Sequence, residues 1–129
     1  MKKLKILVLD CNPIIHIGLK SIFKNSMIFE VCAYLDNKDL LIETIGEEKI
    51  DLIISEINLN GSSAMDILRI LKKNKIDIPV VIFTSLSNEI KSLKLLKTGA
   101  SGFLTKNLKF KKNTKKSKIM FVLFLSLAK

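Results

Sequence analysis

Hydrophobic residues along the first 105 positions follow two alternating patterns. Short runs of β-branched and aliphatic residues at Leu4–Leu9, Ile28–Leu35, Asp51–Ser55, Val80–Thr84 and Gly102–Thr105 predict strands. Between them lie stretches with helical spacing. Pro13 suits a first helical turn, and Ile14, Ile17, Leu19, Ile22 and Phe23 supply an apolar face that ends near Asn25. Asp36 or Asn37 is the capping candidate for a second helix through Glu48, and Ser62 or Ser63 for a third through Asn74. Ser87 is the candidate for a fourth, in which Ile90, Leu93 and Leu96 lead through Lys97 into the stop at Gly99. The order βαβαβαβαβ predicts an α/β fold: a doubly wound five-stranded parallel sheet with right-handed crossovers and helices on both faces.

In such a sheet the carboxyl ends of neighbouring strands line a shared crevice. Four polar residues stand at those ends: Asp10 after Leu4–Leu9, Glu56 after Ser55, Thr84 closing Val80–Thr84, and Lys106 after Thr105. The pattern therefore gathers two carboxylates, a hydroxyl and an ammonium into one pocket. Asp51 precedes its strand instead of ending it, which puts it at the opposite edge and outside this set.

Charge changes the picture only once it is located. The chain of 129 residues has a formal net charge of +10, but residues 106–129 carry eight lysines and no acid, while residues 1–105 are nearly balanced at +2. A balanced body gives no reason to expect a nucleic-acid surface on it. The two cysteines, Cys11 and Cys32, have no C-x-x-C spacing and no histidine cluster nearby, which argues against a zinc site or a disulfide framework and fits a reducing, cytoplasmic setting. The apolar run at the amino end is interrupted by Asp10, Asn12 and Pro13, too early for a signal-peptide core or a membrane span. His16 is the only histidine and reads as a helix residue, not a ligand.

Four segments resemble one family in register. ILVLDCNPIIHIGL, DLIISEINLNG, IPVVIFTSL and TGASGFLTKN are similar to the first, third, fourth and fifth strand regions of bacterial response-regulator receiver domains (CheY-like), of the NarL type that is attached to helix-turn-helix domains. The resemblance covers residues 4–106 and implies a flavodoxin-like strand order 2-1-3-4-5. It implies Glu56 at the phosphoacceptor position, Asp10 in the acidic pocket, Thr84 and Lys106 as phosphate contacts, and Phe103 as the aromatic switch. It also implies a Mg²⁺ site at Asp10, Glu56 and Asn58. Two positions depart from the family. Glu56 replaces the usual Asp, and Cys11 replaces the second carboxylate of an acidic pair. A thiol is a soft ligand ill suited to Mg²⁺, so the expected metal site is weak; Cys11 reads as a small packing residue at a strand end. One extra methylene at Glu56 displaces the nucleophile, and errors of about 1 Å cost roughly 100-fold in such geometry. Glu56 is then either a mimic of the phosphorylated acid or inertly paired with Lys106.

The resemblance ends after Lys106. Asn107–Lys118 is lysine-rich and Ile119–Ala128 almost wholly apolar, with no amphipathic stripe like that of a fifth helix. The expected organisation is a receiver domain over residues 1–106 and a tail over 107–129. The preferred reading of the tail is an abnormal ending, by truncation or a shifted reading frame, that removed the fifth helix and the DNA-binding domain. Second is Ile119–Ala128 replacing the fifth helix on the sheet; last is a membrane-surface or nucleic-acid segment. The sequence as a whole is read as a degenerate receiver, not an enzyme, acting by contact with protein partners such as a sensor histidine kinase or another regulator, and prone to self-association if apolar surface is left bare. The alternatives are an active phosphoacceptor switch using Glu56 and Mg²⁺, and a truncated remnant of a helix-turn-helix regulator.

Overall fold

Leu4–Leu9 (β1) buries its last four residues whichever way their side chains point, which is why it reads as an unbroken apolar run and not as an alternation. In the computed structural model, which describes residues 2–85 and 89–106, β1 lies inside a five-stranded parallel sheet. The other strands are Phe29–Leu35 (β2), Leu52–Ser55 (β3), Val80–Thr84 (β4) and Gly102–Thr105 (β5), in the order β2-β1-β3-β4-β5. The expected fold class and strand order are those found. Leu9 pairs with Leu35 and with Ser55, Ser55 with Ile82, and Thr84 with Thr105. These registers align the carboxyl ends of the strands along one edge.

Alternation within each strand feeds two cores. Leu7, Leu9, Ile53 and Ile82 point to the face covered by Leu41–Glu48 (α2), Ala64–Lys73 (α3) and Glu89–Thr98 (α4), where Leu41, Ile67, Leu71 and Leu95 meet them. Ile6, Val8 and Ile54 point to the other face, where Pro13–Ile22 (α1) contributes Leu19 and its capping residue Phe23. Each such aliphatic side chain, fully withdrawn from water, contributes roughly 1.5–3 kcal/mol.

The helix starts show which capping signals act. Asn12 Oδ1 accepts from the Ile14 amide at 3.0 Å, with Pro13 in the first turn. Of the two serines before α3, Ser63 is the cap, and it forms a reciprocal capping box with Asp66. Asp36 and Asn37 do not cap α2. Asn37 Oδ1 accepts from the Asp39 amide at 2.8 Å, and that local turn is spent before the helix begins at Leu41, with Leu40 at the cap and no side-chain bond. Ser87 lies outside the described residues, as do residues 107–129 with the fifth-helix and tail expectations that fall on them.

Two helix faces differ from the expected ones. On α1, Ile14 and Ile17 are 69% and 63% exposed, and the buried stripe runs instead through Ile15, Leu19, Ile22 and Phe23. On α4, Ile90, Leu93 and Leu96 face outward while Leu95 is buried. Both helices carry apolar residues on more than one side, so spacing alone left the rotation open. The second strand begins at Phe29 and the third at Leu52, with Asp51 accepting the Lys5 amide at 2.8 Å.

Ile53→Ala is expected to cost about 2–5 kcal/mol in urea denaturation, whereas Ile14→Ala, placed on the outer face of α1, should stay within about 0.5 kcal/mol. Equal losses would return Ile14 to the core.

Candidate functional site

The sheet's hydrogen bonding continues one residue past three of its strands, and those residues are the polar ones. The Asp10 amide donates to Leu35 O at 3.1 Å, the Glu56 amide to Leu9 O at 2.9 Å, and the Lys106 amide to Thr84 O at 2.7 Å. Backbone ladders thus fix where Asp10, Glu56 and Lys106 project, and Thr84 is the last, fully buried residue of β4 between them.

Lys106 Nζ lies 2.7 Å from Asp10 Oδ2 and 3.7 Å from Glu56 Oε1. The first is a charge-assisted hydrogen bond; the second is an ion pair beyond hydrogen-bond reach. Asp10 is committed at both oxygens, since Oδ1 accepts from the Asn12 amide at 2.8 Å. Glu56 turns Oε2 back to the neighbouring Ile57 amide at 3.1 Å. The Lys106 ammonium also sits 5.8 Å from the centroid of the Phe83 ring, within cation–π range. Two carboxylates against one ammonium leave one negative charge in excess.

Cys11 does not pack as a small core residue. It is exposed, and its Sγ lies 3.6 Å from Asn58 O and 3.7 Å from Asn60 Oδ1. Its position in the turn between β1 and α1 puts the thiol over the loop that follows β3. Desolvation, then the charges of Asp10, Asp36 and Glu56, push the Cys11 thiol above its ordinary value of 9.0. Ser85 is exposed beside Thr84. Phe103 is partly buried against the core cluster on the α2–α3–α4 side.

Four contributors were not legible in the sequence. The Tyr34 hydroxyl donates to Asp10 O at 2.7 Å, and His16 stacks on the Tyr34 ring at 5.0 Å and 12°. Burial first, then Lys20, lowers the His16 pKa below 6.5. Asp36 and Asn60 tie the end of β2 to the loop after β3, by Asn60 Nδ2 to Asp36 Oδ2 at 2.9 Å and the Asn60 amide to Asp36 O at 2.9 Å. These partners are 24 residues apart and carry no motif.

A divalent cation fits this donor set poorly. A hard ion wants several free oxygens in an octahedron. Here both oxygens of Asp10 are engaged, one of them by a cation, and the thiol of Cys11 lies against the carbonyl of Asn58. Among the described residues no group of three or more His, Cys, Asp or Glu side chains is placed to hold a metal ion.

A family model for the response regulator receiver domain matches residues 6–118, most of the chain. The chain belongs to the receiver-domain family. Its relatives include a nitrate/nitrite response regulator homologue of Haemophilus influenzae, 30% identical over 81% of this chain and 50% of that protein. They include the nitrate/nitrite response regulator NarL of Escherichia coli, 26% identical over 80% of this chain and 48% of that protein. The chain spans about half the length of these curated relatives. Among solved structures, the response regulator domain of Thermotoga maritima CheB superposes with a TM-score of 0.80 at 19% identity, covering 98% of this chain and 97% of that one. The BeF3-activated receiver domain of Klebsiella pneumoniae RstA gives 0.78 at 24%, covering 97% and 99%. These likenesses establish the fold. Membership makes this receiver a module of two-component signalling, a class in which Mg²⁺ is typically held at the phosphorylation site. No helix among the described residues is long and apolar enough to cross a membrane.

The Asp10–Lys106 pair is nearly buried, with side chains 5% and 16% exposed. Lys106→Met should therefore destabilise by about 3 kcal/mol, because it strands a buried carboxylate. Combining it with Asp10→Asn should cost clearly less than the two single effects added, as measured in a denaturation double-mutant cycle.

Because the thiolate is the reactive form, a raised Cys11 pKa means that alkylation lags as pH rises. In a Cys32→Ser background the midpoint of the iodoacetamide rate profile is expected above that of an unstructured cysteine peptide measured alongside, and Asp36→Asn should move it down. A midpoint below that of the peptide contradicts the acidic setting of this thiol.

Proposed function

We propose that this receiver signals without being phosphorylated, its pocket held closed by its own charges, and that it acts through contact with protein partners. The observation that carries the reading is the 2.7 Å bond from Lys106 to Asp10. Phosphoryl transfer depends on a positioned nucleophile and on cations that neutralise the developing charge. Here the cation is already taken by Asp10, and the residual negative charge of the pocket opposes an incoming phosphoryl group. Glu56 at the phosphoacceptor position is divided between Ile57 N and Lys106, which supports inert pairing over mimicry of a phosphorylated acid. On this reading Mg²⁺ binds weakly, and Thr84 and Phe103 keep the places of the phosphate contact and the switch without the phosphoryl group that would move them.

The partners by chemistry are a sensor histidine kinase or a second regulator, in the cytoplasm. Ile90, Leu93 and Leu96 on α4 and Ile14 and Ile17 on α1 expose apolar side chains that suit protein contact.

Incubation of the unmodified protein with a small phosphodonor and Mg²⁺ is expected to give no acyl-phosphate adduct by intact mass. Cys11→Asp together with Glu56→Asp should restore labelling and Mg²⁺ binding, each alone restoring less, since a bridging metal couples the two carboxylates. Efficient Mg²⁺-dependent labelling of the unmodified chain at Glu56 would overturn the proposal and make it an active switch.

A further inference from the structure

Charges that are nearly balanced along residues 1–105 are separated in space. Asp10, Asp36 and Glu56 follow the carboxyl ends of β1, β2 and β3. At the amino ends of the strands, Lys2, Lys3, Lys5 and Lys49 surround one hollow together with Glu30 and Asp51. A second hollow is a groove of about 490 Å³ between the carboxyl-terminal ends of α3 and α4, floored by Leu71, Ile76, Ile78 and Val80. Lys72, Lys75 and Lys97 rim it, with Asp77 as its acid. These three lysines are exposed, and Ile76 and Ile78 are half-buried between them.

The helix dipole accounts for lysines in a last helical turn, and Lys72 and Lys73 supply them for α3. Lys75 stands past that turn with φ 55°, as Lys49 stands after α2 with φ 54°; among the described residues these are the positive-φ positions that are not glycine. The Lys75 amide donates to Lys72 O at 3.1 Å and the Ile76 amide to Leu71 O at 2.9 Å, a helix ending in which glycine is usual. A side chain there costs free energy that glycine avoids, and strained positions of this kind gather where ligands are held. Each of the two left-handed lysines lines one of the two hollows.

We propose that the groove between α3 and α4 holds an acidic peptide segment of a partner protein, with an apolar side chain over Ile76 and Ile78 and carboxylates against Lys72, Lys75 and Lys97. The lysines select the charge and the floor selects a peptide. Nucleic acid would set phosphates beside Asp77, and the described lining offers no aromatic ring on which a base could stack. A lipid surface is entered by apolar side chains that protrude, whereas these are recessed between exposed lysines. The inference holds whether or not Glu56, at the opposite end of the sheet, accepts phosphate.

The test titrates the full chain, labelled with nitrogen-15, with a short peptide in which glutamates flank one leucine. Saturable NMR shifts are expected at the amides of Ile76, Ile78 and Gly99. Lys75→Gly, which relieves the backbone and removes the ammonium, should weaken binding about 3-fold, the scale of one exposed ion pair, without loss of thermal stability. Lys72→Glu with Lys97→Glu should weaken it at least about 10-fold, since like charges then face the probe, and replacing the leucine by serine should weaken it too. Shifts confined to residues 107–129 would overturn the proposal, as would undiminished affinity of the serine peptide or of Lys75→Gly. Duplex DNA or phosphatidylglycerol vesicles that shift the same amides at lower concentration than the peptide would also overturn it, by making that anion the occupant. If the double variant unfolds, Lys75→Gly decides.

Discussion

The hydrogen-bond ladder of the parallel sheet is the constraint on which the rest of this molecule depends. It runs one residue beyond β1, β3 and β5, so the backbone of each pocket residue is a rung of the sheet and not a free loop. A side chain placed this way inherits the rigidity of a core in which Leu7, Leu9, Ile53 and Ile82 are fully buried. The pocket is consequently preorganised by packing several residues away from it, and its chemistry is decided by which side chains occupy a few fixed positions.

Cys11 and Glu56 fill their fixed positions in different ways. The Cys11 thiol turns to the loop after β3, where Asn58 O and Asn60 Oδ1 receive it. Glu56 keeps the charge but has the reach to fold back on its own following amide. Lys106 then finds Asp10 as its nearest anion. Lys106 thereby neutralises a resident carboxylate. Low local dielectric strengthens that bond and penalises its loss.

Support for the pocket extends outward through groups beyond the pocket's own ion pairs. Tyr34 holds the Asp10 carbonyl, His16 holds the Tyr34 ring, and Asn60 with Asp36 clasps the loops on either side. The strand ends are thereby cross-linked above the sheet as well as within it.

The sequence by itself determined the alternation of strands and helices, the parallel sheet, and the convergence of Asp10, Glu56, Thr84 and Lys106. Strand burial on both faces leaves a strong local signal, and topology converts strand ends into one site. The start of α1 at Pro13 and a serine cap for α3, at Ser62 or Ser63, were legible for the same reason, since first-turn and cap signals act on amides two or three residues away; the structure added Asn12 and chose Ser63. Tertiary structure alone decided the rotation of α1 and α4, where apolar residues lie on several sides and only contact with the sheet selects Leu19 over Ile17 and Leu95 over Leu93. It also decided that Lys106 pairs first with Asp10 across 96 residues, and that Tyr34 and His16 belong to the site. Those are choices between partners distant in sequence, and no local pattern records the distances that settle them.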